Sequence, residues 1–296
     1  MPSPETIGFV GTGLMGQGMA ANIVGKGYAL SVIAHRNRAP IDDLIARGAT
    51  EAASLTDLAG RCSVIFLCLT GAPEVAAVVR GLKPGLTKGT VIIDTSTSDP
   101  TVSLALAAEL AAIGVDYADA PLGRTPKEAW AGTLDCMVGA TDATFARIQP
   151  IIATWAGKIV HIGGVGDGHK MKLLNNFLSL GYAALYSEAL ALSAKVGIPV
   201  ATFDQVIRGG RMDCGFYQTF MGYALEGNRE SHRFTLTNGF KDMRYVEAMA
   251  NAATMTTPLA SAIKNSFGTA VANGGGGPTD YVPHLADFIA KANGAQ

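Results

Sequence analysis

Residues 7–23 read IGFVGTGLMGQGMAANI. The apolar run Thr6–Gly11 has the composition of a buried strand, and the stretch from Leu14 to Gly27 has that of a helix. Gly11-Thr12-Gly13-Leu14-Met15-Gly16 therefore lies at a strand-to-helix turn. In a GxGxxG turn the first glycine permits the tight bend and the second lets the backbone approach a pyrophosphate. The third lets helix and strand pack closely, while the helix N-terminus faces the phosphates. A lone GxGxxG is weak evidence, but this one has a strand before it and a helix after it. These seventeen residues predict a dinucleotide-binding domain at the start of the chain.

Working outward, ALSVIA (29–34) reads as the second strand. An acidic residue at its end would bind a ribose 2′-hydroxyl, but the chain has Ala34-His35-Arg36-Asn37-Arg38 there. His35, Arg36 and Arg38 suit a 2′-phosphate, which favours NADP over NAD; the rival reading is a solvated basic turn. VIFLCL (64–69), TVIIDT (90–95), VDYADA (115–120) and KIVHIG (158–163) continue the strand series, with helical segments such as 41–48 and 103–114 between them. Such alternation predicts a mostly parallel, doubly wound sheet of Rossmann type. From about Asp167 to Val196 the apolar positions recur at helical spacing with no proline, a helix of ~45 Å. The expected division is an α/β domain over 1–165 and an all-helical domain over 166–296, the latter including the long connecting helix.

Composition excludes several classes. A formal net charge of −1, with no basic block, argues against nucleic acid or an anionic membrane as partner. The four cysteines show no CxxC pair, so buried free thiols are expected and no disulfide framework or metal site is. The N-terminus lacks a signal-peptide pattern, and the long apolar run is broken by Ser179, Glu188 and Lys195, so a soluble cytoplasmic protein is expected.

GGVGDGHKMKLLNNFLS (163–179) places Lys172, Asn176 and Ser179 on one helical stripe: Asn176 lies ~40° and Ser179 ~20° from Lys172 around the axis. A lysine there can exchange a proton with an alcohol or carbonyl oxygen during hydride transfer, and Asn176 can hold it or the substrate oxygen. The alternative is a lysine that only reaches water from a helix start. Lys170, ~200° away, fits that alternative better. A second segment, DAPLGRTPKEAWAGTL (119–134), has Thr125-Pro126-Lys127-Glu128 in the form of a helix start. Arg124 would sit just outside that N-terminus, where a positive side chain is unfavourable unless an anion binds between it and the backbone N–H groups.

With these motifs in order, the chain resembles the β-hydroxyacid dehydrogenase family from end to end. IGFVGTGLMGQGMAANI looks like the family's cofactor signature. DTSTSDP resembles its cofactor-contacting segment and places Thr97 near the nicotinamide; Leu69 and Thr70 are assigned to the same site. GVGDGHKMKLLNN matches the catalytic-lysine motif, which implies proton transfer by Lys172 with Asn176 assisting. FTLTNGFKDM resembles the late lysine-aspartate motif, implying a cofactor role for Lys241. The family's substrate loop usually reads DAPVSGG, and here Leu122-Gly123-Arg124-Thr125 replaces valine, serine and two glycines. That variant, with NNFLS on the helix, is similar to the sulfolactaldehyde reductase branch. The likeness implies substrate contacts from Gly123, Arg124, Thr125, Asn175, Asn176 and Ser179. The expectation is an NAD(P)-dependent oxidoreductase acting on a small anionic 3-hydroxy acid or aldehyde-acid, sulfolactaldehyde first, in a homodimer or homotetramer. Alternatives are another β-hydroxy acid such as 3-hydroxyisobutyrate or tartronate semialdehyde, a β-hydroxy amino acid such as D-threonine or serine, imine reduction, or a non-catalytic NADP sensor. An amino group would need an acceptor, and these motifs supply no obvious carboxylate.

Overall fold

The computed structural model describes residues Glu5–Ala295. Contacts divide the chain into two compact units, one ending at Lys172 and the other beginning at Leu173.

In the first unit the elements run β1 (Thr6–Val10), α1 (Gly16–Gly25), β2 (Ala29–Val32), α2 (Ala39–Ala46), β3 (Thr50–Glu51), α3 (Leu55–Arg61), β4 (Val64–Leu67) and α4 (Ala72–Leu82). They continue with β5 (Val91–Asp94), α5 (Pro100–Ala111), β6 (Asp116–Asp119), β7 (Leu122–Gly123), α6 (Pro126–Ala131), β8 (Leu134–Gly139), α7 (Asp142–Ile152) and β9 (Ala156–Gly163). The strands form one sheet in the order β3-β2-β1-β4-β5-β6-β8-β7, with β9 paired to β8. From β3 through β6 every pairing is parallel. Strand order reverses at β1, so the loops after β1 and β4 open on the crevice where such sheets hold ligands. Burial on both faces explains the near-continuous apolar strands. Val64 and Phe66 of β4 enter one core with Ile7, Phe9 and Trp155, while Ile65 and Leu67 enter the other with Ile92 and Leu106.

Beyond β6 the sheet departs from the simple alternation. β8 runs antiparallel to both β6 and β7. LDCMVG carries no strand signal of its own, because its pairing depends on the turn at Arg124–Thr125 and on α6 carrying the chain back.

The second unit contains most of α8 (Asp167–Lys195), then α9 (Val200–Ile207), α10 (Gly215–Ala224), α11 (Leu236–Ala252), α12 (Pro258–Ala272) and α13 (Leu285–Ala292). Its core joins Leu173, Leu180 and Ala183 of α8 to Phe220, Met243, Ile263, Phe267 and Leu285. α8 passes unbroken through Gly181, where a Cβ would stand 3.2 Å from Ile263 Cδ1. By length and composition α8 could cross a bilayer, although 39% of its most apolar window is buried within the protein. Sequence punctuation places the domain boundary at 165/166, ahead of this helix, but the helix's first residues pack with the sheet. Gly168 has no side chain, and a Cβ there would lie 2.5 Å from the Met137 carbonyl oxygen and 2.9 Å from that of Asp119. Not every cysteine is buried: Cys214 is exposed and its sulfur caps α10.

Candidate functional site

The turn between β1 and α1 is built by backbone contact. Gly11 has φ 99°, and a Cβ there would lie 2.2 Å from the Cys68 carbonyl oxygen. A Cβ on Gly16 would meet the Gly11 carbonyl oxygen at 2.0 Å and Phe9 at 3.0 Å. Both positions exclude every side chain. At Gly13, by contrast, a Cβ would meet no protein atom within 4 Å. Thr12 and Met15 are partly buried around it, and Leu14 is exposed. The donor set is a glycine cradle at the N-terminus of a ten-residue helix without acidic groups in its first turn, which fits a dinucleotide pyrophosphate.

The next strand ends are stitched together beside this cradle. The Leu69 N–H donates to Ser96 Oγ at 2.9 Å, and the Thr95 hydroxyl donates to the Leu67 carbonyl at 2.7 Å. Thr70 is exposed and Thr97 partly buried in the same loops. After β2, His35, Arg36 and Arg38 are all exposed. Arg38 is engaged with its neighbours. It grips Glu51 with both terminal nitrogens (2.7 and 2.8 Å), and its Nε bonds Asp42 at 2.9 Å. The expected pair of phosphate-binding arginines is therefore not equivalent.

A buried network that the sequence did not suggest fixes the turn entering α8. Asp119, at the end of β6, accepts the N–H groups of Gly166 (2.5 Å) and His169 (2.6 Å). Burial pushes its carboxyl above the usual range, against the opposing influence of the neighbouring His169 ring and those N–H groups. The fully buried His169 ring meets Ser103 Oγ at 2.8 Å through Nδ1 and donates from Nε2 to the Ser96 carbonyl at 3.1 Å. Asp94 and Asp119 each stand 3.8 Å from that ring. Asp94 in turn accepts from the Tyr117 hydroxyl at 3.0 Å and the Ser96 N–H at 2.9 Å. The only signals in the sequence were an aspartate closing a buried strand and a histidine inside the glycine-rich entry.

Lys172 follows one turn later on α8 and is partly buried. Lys170 behaves as a surface lysine, paired with Asp167 at 2.9 Å. Asn176 is buried, and its Nδ2 donates to Asp242 Oδ2 at 2.7 Å. The Asn175 amide approaches Asn176 Oδ1 at 3.5 Å, and the Ser179 hydroxyl donates to the Asn176 carbonyl at 3.3 Å. Asp242, fully buried on α11, also pairs with Lys241 Nζ at 3.0 Å. It is the anchor of this group, and the Lys-Asp dipeptide was its one trace in the sequence.

In the substrate-loop segment, α6 starts as its sequence predicts. Thr125 is the cap, Pro126 the first helical residue, and Glu128 Oε2 accepts from the Thr125 N–H at 3.1 Å and its hydroxyl at 2.5 Å. That bond holds the Glu128 carboxyl below its ordinary value. Contrary to the expectation from the sequence, Arg124 does not need a bound anion to relieve it, because the protein supplies its own anions. Glu128 closes the helix start, and Arg124 Nε lies 3.1 Å from Asp135 Oδ1 on β8. Arg124 adopts φ 77°, in the left-handed region that favours glycine. The carboxylate missing from the loop motifs thus comes from the next strand.

Comparison with known proteins agrees with this architecture. Residues 6–163 match the family model described as the NAD binding domain of 6-phosphogluconate dehydrogenase. Residues 166–284 match that for the NAD-binding region of NADP-dependent 3-hydroxyisobutyrate dehydrogenase. The chain is 36% identical over 244 residues to 2-(hydroxymethyl)glutarate dehydrogenase of Eubacterium barkeri, covering 79% of this chain and 75% of that one. It is 30% identical over 273 residues to 3-sulfolactaldehyde reductase of Escherichia coli K12, covering 91% of each. The structure of Mycobacterium tuberculosis 3-hydroxyisobutyrate dehydrogenase with L-serine superposes with a TM-score of 0.85 at 26% identity, over 95% of this chain and 99% of that one. The chain belongs to the β-hydroxyacid dehydrogenase family and is an NAD(P)-dependent oxidoreductase.

Proposed function

We propose that the protein interconverts a small anionic aldehyde and its hydroxy acid, in the manner of a sulfolactaldehyde reductase, with NADP preferred over NAD. Bound cofactor supplies or accepts the hydride. Gly11–Gly16, Leu69, Thr70 and Thr97 hold it, with the exposed Arg36 as the partner of a 2′-phosphate and Lys241 as a further contact. Lys172 moves the proton on the reacting oxygen, through Nζ. Asn176, its amide locked by buried Asp242, orients that oxygen or the lysine. Gly123, Arg124, Thr125, Asn175 and Ser179 bind the substrate's anionic end.

The observation that carries this reading is Arg124 itself. A guanidinium stands at a left-handed backbone position where glycine would be unstrained. Local strain of this kind persists where function uses the side chain. The names of the two similar enzymes, a sulfonated aldehyde reductase and a substituted glutarate dehydrogenase, support an anionic substrate. A homodimer or homotetramer belongs to the same reading, supported by the exposed row Leu174, Leu178, Leu185 and Leu192 along α8. The test is turnover of 3-sulfolactaldehyde, succinic semialdehyde, tartronate semialdehyde and a neutral aldehyde of equal size, each with NADPH and NADH. The reading requires the anionic aldehydes to exceed the neutral one in kcat/KM. Equal rates for charged and neutral compounds would sink it.

A further inference from the structure

Gly123 on β7 stands directly across from Asp135 on β8 in the antiparallel register. A Cβ at position 123 would lie 3.2 Å from the Asp135 Cβ and 3.7 Å from its Oδ2, so glycine leaves room for the carboxylate. The next residue, Arg124, turns through φ 77° and brings its Nε to 3.1 Å from Asp135 Oδ1. That oxygen is shielded from solvent and engaged by Arg124, although the Asp135 side chain as a whole stays 34% exposed. The other nearby carboxylate, Glu128, is occupied by Thr125. Three residues thus form one unit: a glycine that makes space, an arginine held in a strained turn, and a carboxylate paired with it.

We propose that Asp135 is a specificity-determining residue that sets the charge preference of the Arg124 loop. Its negative charge weakens the hold of Arg124 on a purely anionic ligand and favours a ligand whose anion is accompanied by an ammonium group. The proposal rests on the reading of Arg124 as a substrate contact. Arg124 remains 51% exposed in its side chain, so the charge of Asp135 acts through partly screened space and its effect is moderate.

A matched pair of ligands reads this directly. 3-Hydroxypropanoate and serine differ only by the α-amino group. In the NADPH-loaded protein neither can be oxidised, so affinity is measured by calorimetry without turnover. Asp135→Asn keeps the shape and removes the charge. It is expected to tighten 3-hydroxypropanoate about two- to fivefold and weaken serine by a similar factor. Affinities that stay unchanged, or that shift in the same direction, overturn the proposal. Arg124→Ala separates this result from the underlying reading. If neither ligand responds to Arg124→Ala, the substrate role of the loop falls, and the proposal with it. If both weaken in that variant while Asp135→Asn leaves their ratio unchanged, only the proposal falls.

Discussion

Replacing Arg124 by glycine and, separately, by alanine divides what the native residue combines. Both variants lose the guanidinium and the contact with Asp135, which at 51% and 34% side-chain exposure contributes at most about 1 kcal/mol to stability. They differ in the Cβ. At φ 77° a Cβ costs roughly 1–2 kcal/mol, which alanine retains and glycine removes. The greater freedom of glycine in the unfolded chain offsets roughly 0.5–1 kcal/mol of that gain. The glycine variant should therefore be the more stable of the two by about 0.5–1 kcal/mol, or about 2 °C in Tm for a domain of this size. Urea and thermal unfolding of the pair measure the difference. Both variants should lose about 10- to 100-fold in kcat/KM on the anionic substrate, the worth of one charge-assisted hydrogen bond. An alanine variant as stable as the glycine variant would refute the strain. Wild-type kinetics in either would refute the function ascribed to it.

Three further perturbations follow from particular contacts. Asp242→Ala leaves the buried Asn176 amide without its acceptor, so stability should fall by about 1–3 kcal/mol and kcat by about tenfold, with partial recovery in Asp242→Asn; unchanged kcat would remove Asp242 as the anchor. Arg147 holds the Glu5 carboxyl below its ordinary value of 4.5, chiefly by hydrogen bonding. Its contribution is present above that pH and is lost as pH falls through the lowered value, so the Tm gap between wild type and Glu5→Gln should be widest near neutrality and close in acid. Glu51→Gln releases one partner of Arg38 and should lower KM for NADPH about two- to fivefold while leaving NADH unchanged; an equal effect on both would place Arg38 away from the 2′-phosphate.

The parts legible in the sequence were those encoded locally. The glycine loop, the apolar strands β1, β2, β4 and β5, the threonine-proline-glutamate start of α6 and nearly the full span of α8 each follow from short-range pattern. The missing parts depend on contacts far apart in the chain. Asp135 faces Arg124 only because β7 and β8 pair in one register, and a single-residue slip would turn the carboxylate away. His169 reads as an ordinary helix-entry residue until β5, α5 and β6 close around it. The basic turn after β2 looked uniformly suited to phosphate because Glu51, the partner of Arg38, arrives from a neighbouring strand too short to recognise.

The most direct test of the central claim is Lys172→Ala, assayed in the reductive direction on the preferred anionic aldehyde with cofactor affinity measured on the same preparation. Proton transfer by Lys172 predicts a loss of about 10²–10⁴ in kcat with unchanged affinity for NADPH. Turnover that survives the substitution, or a loss explained entirely by weaker cofactor binding, would contradict it.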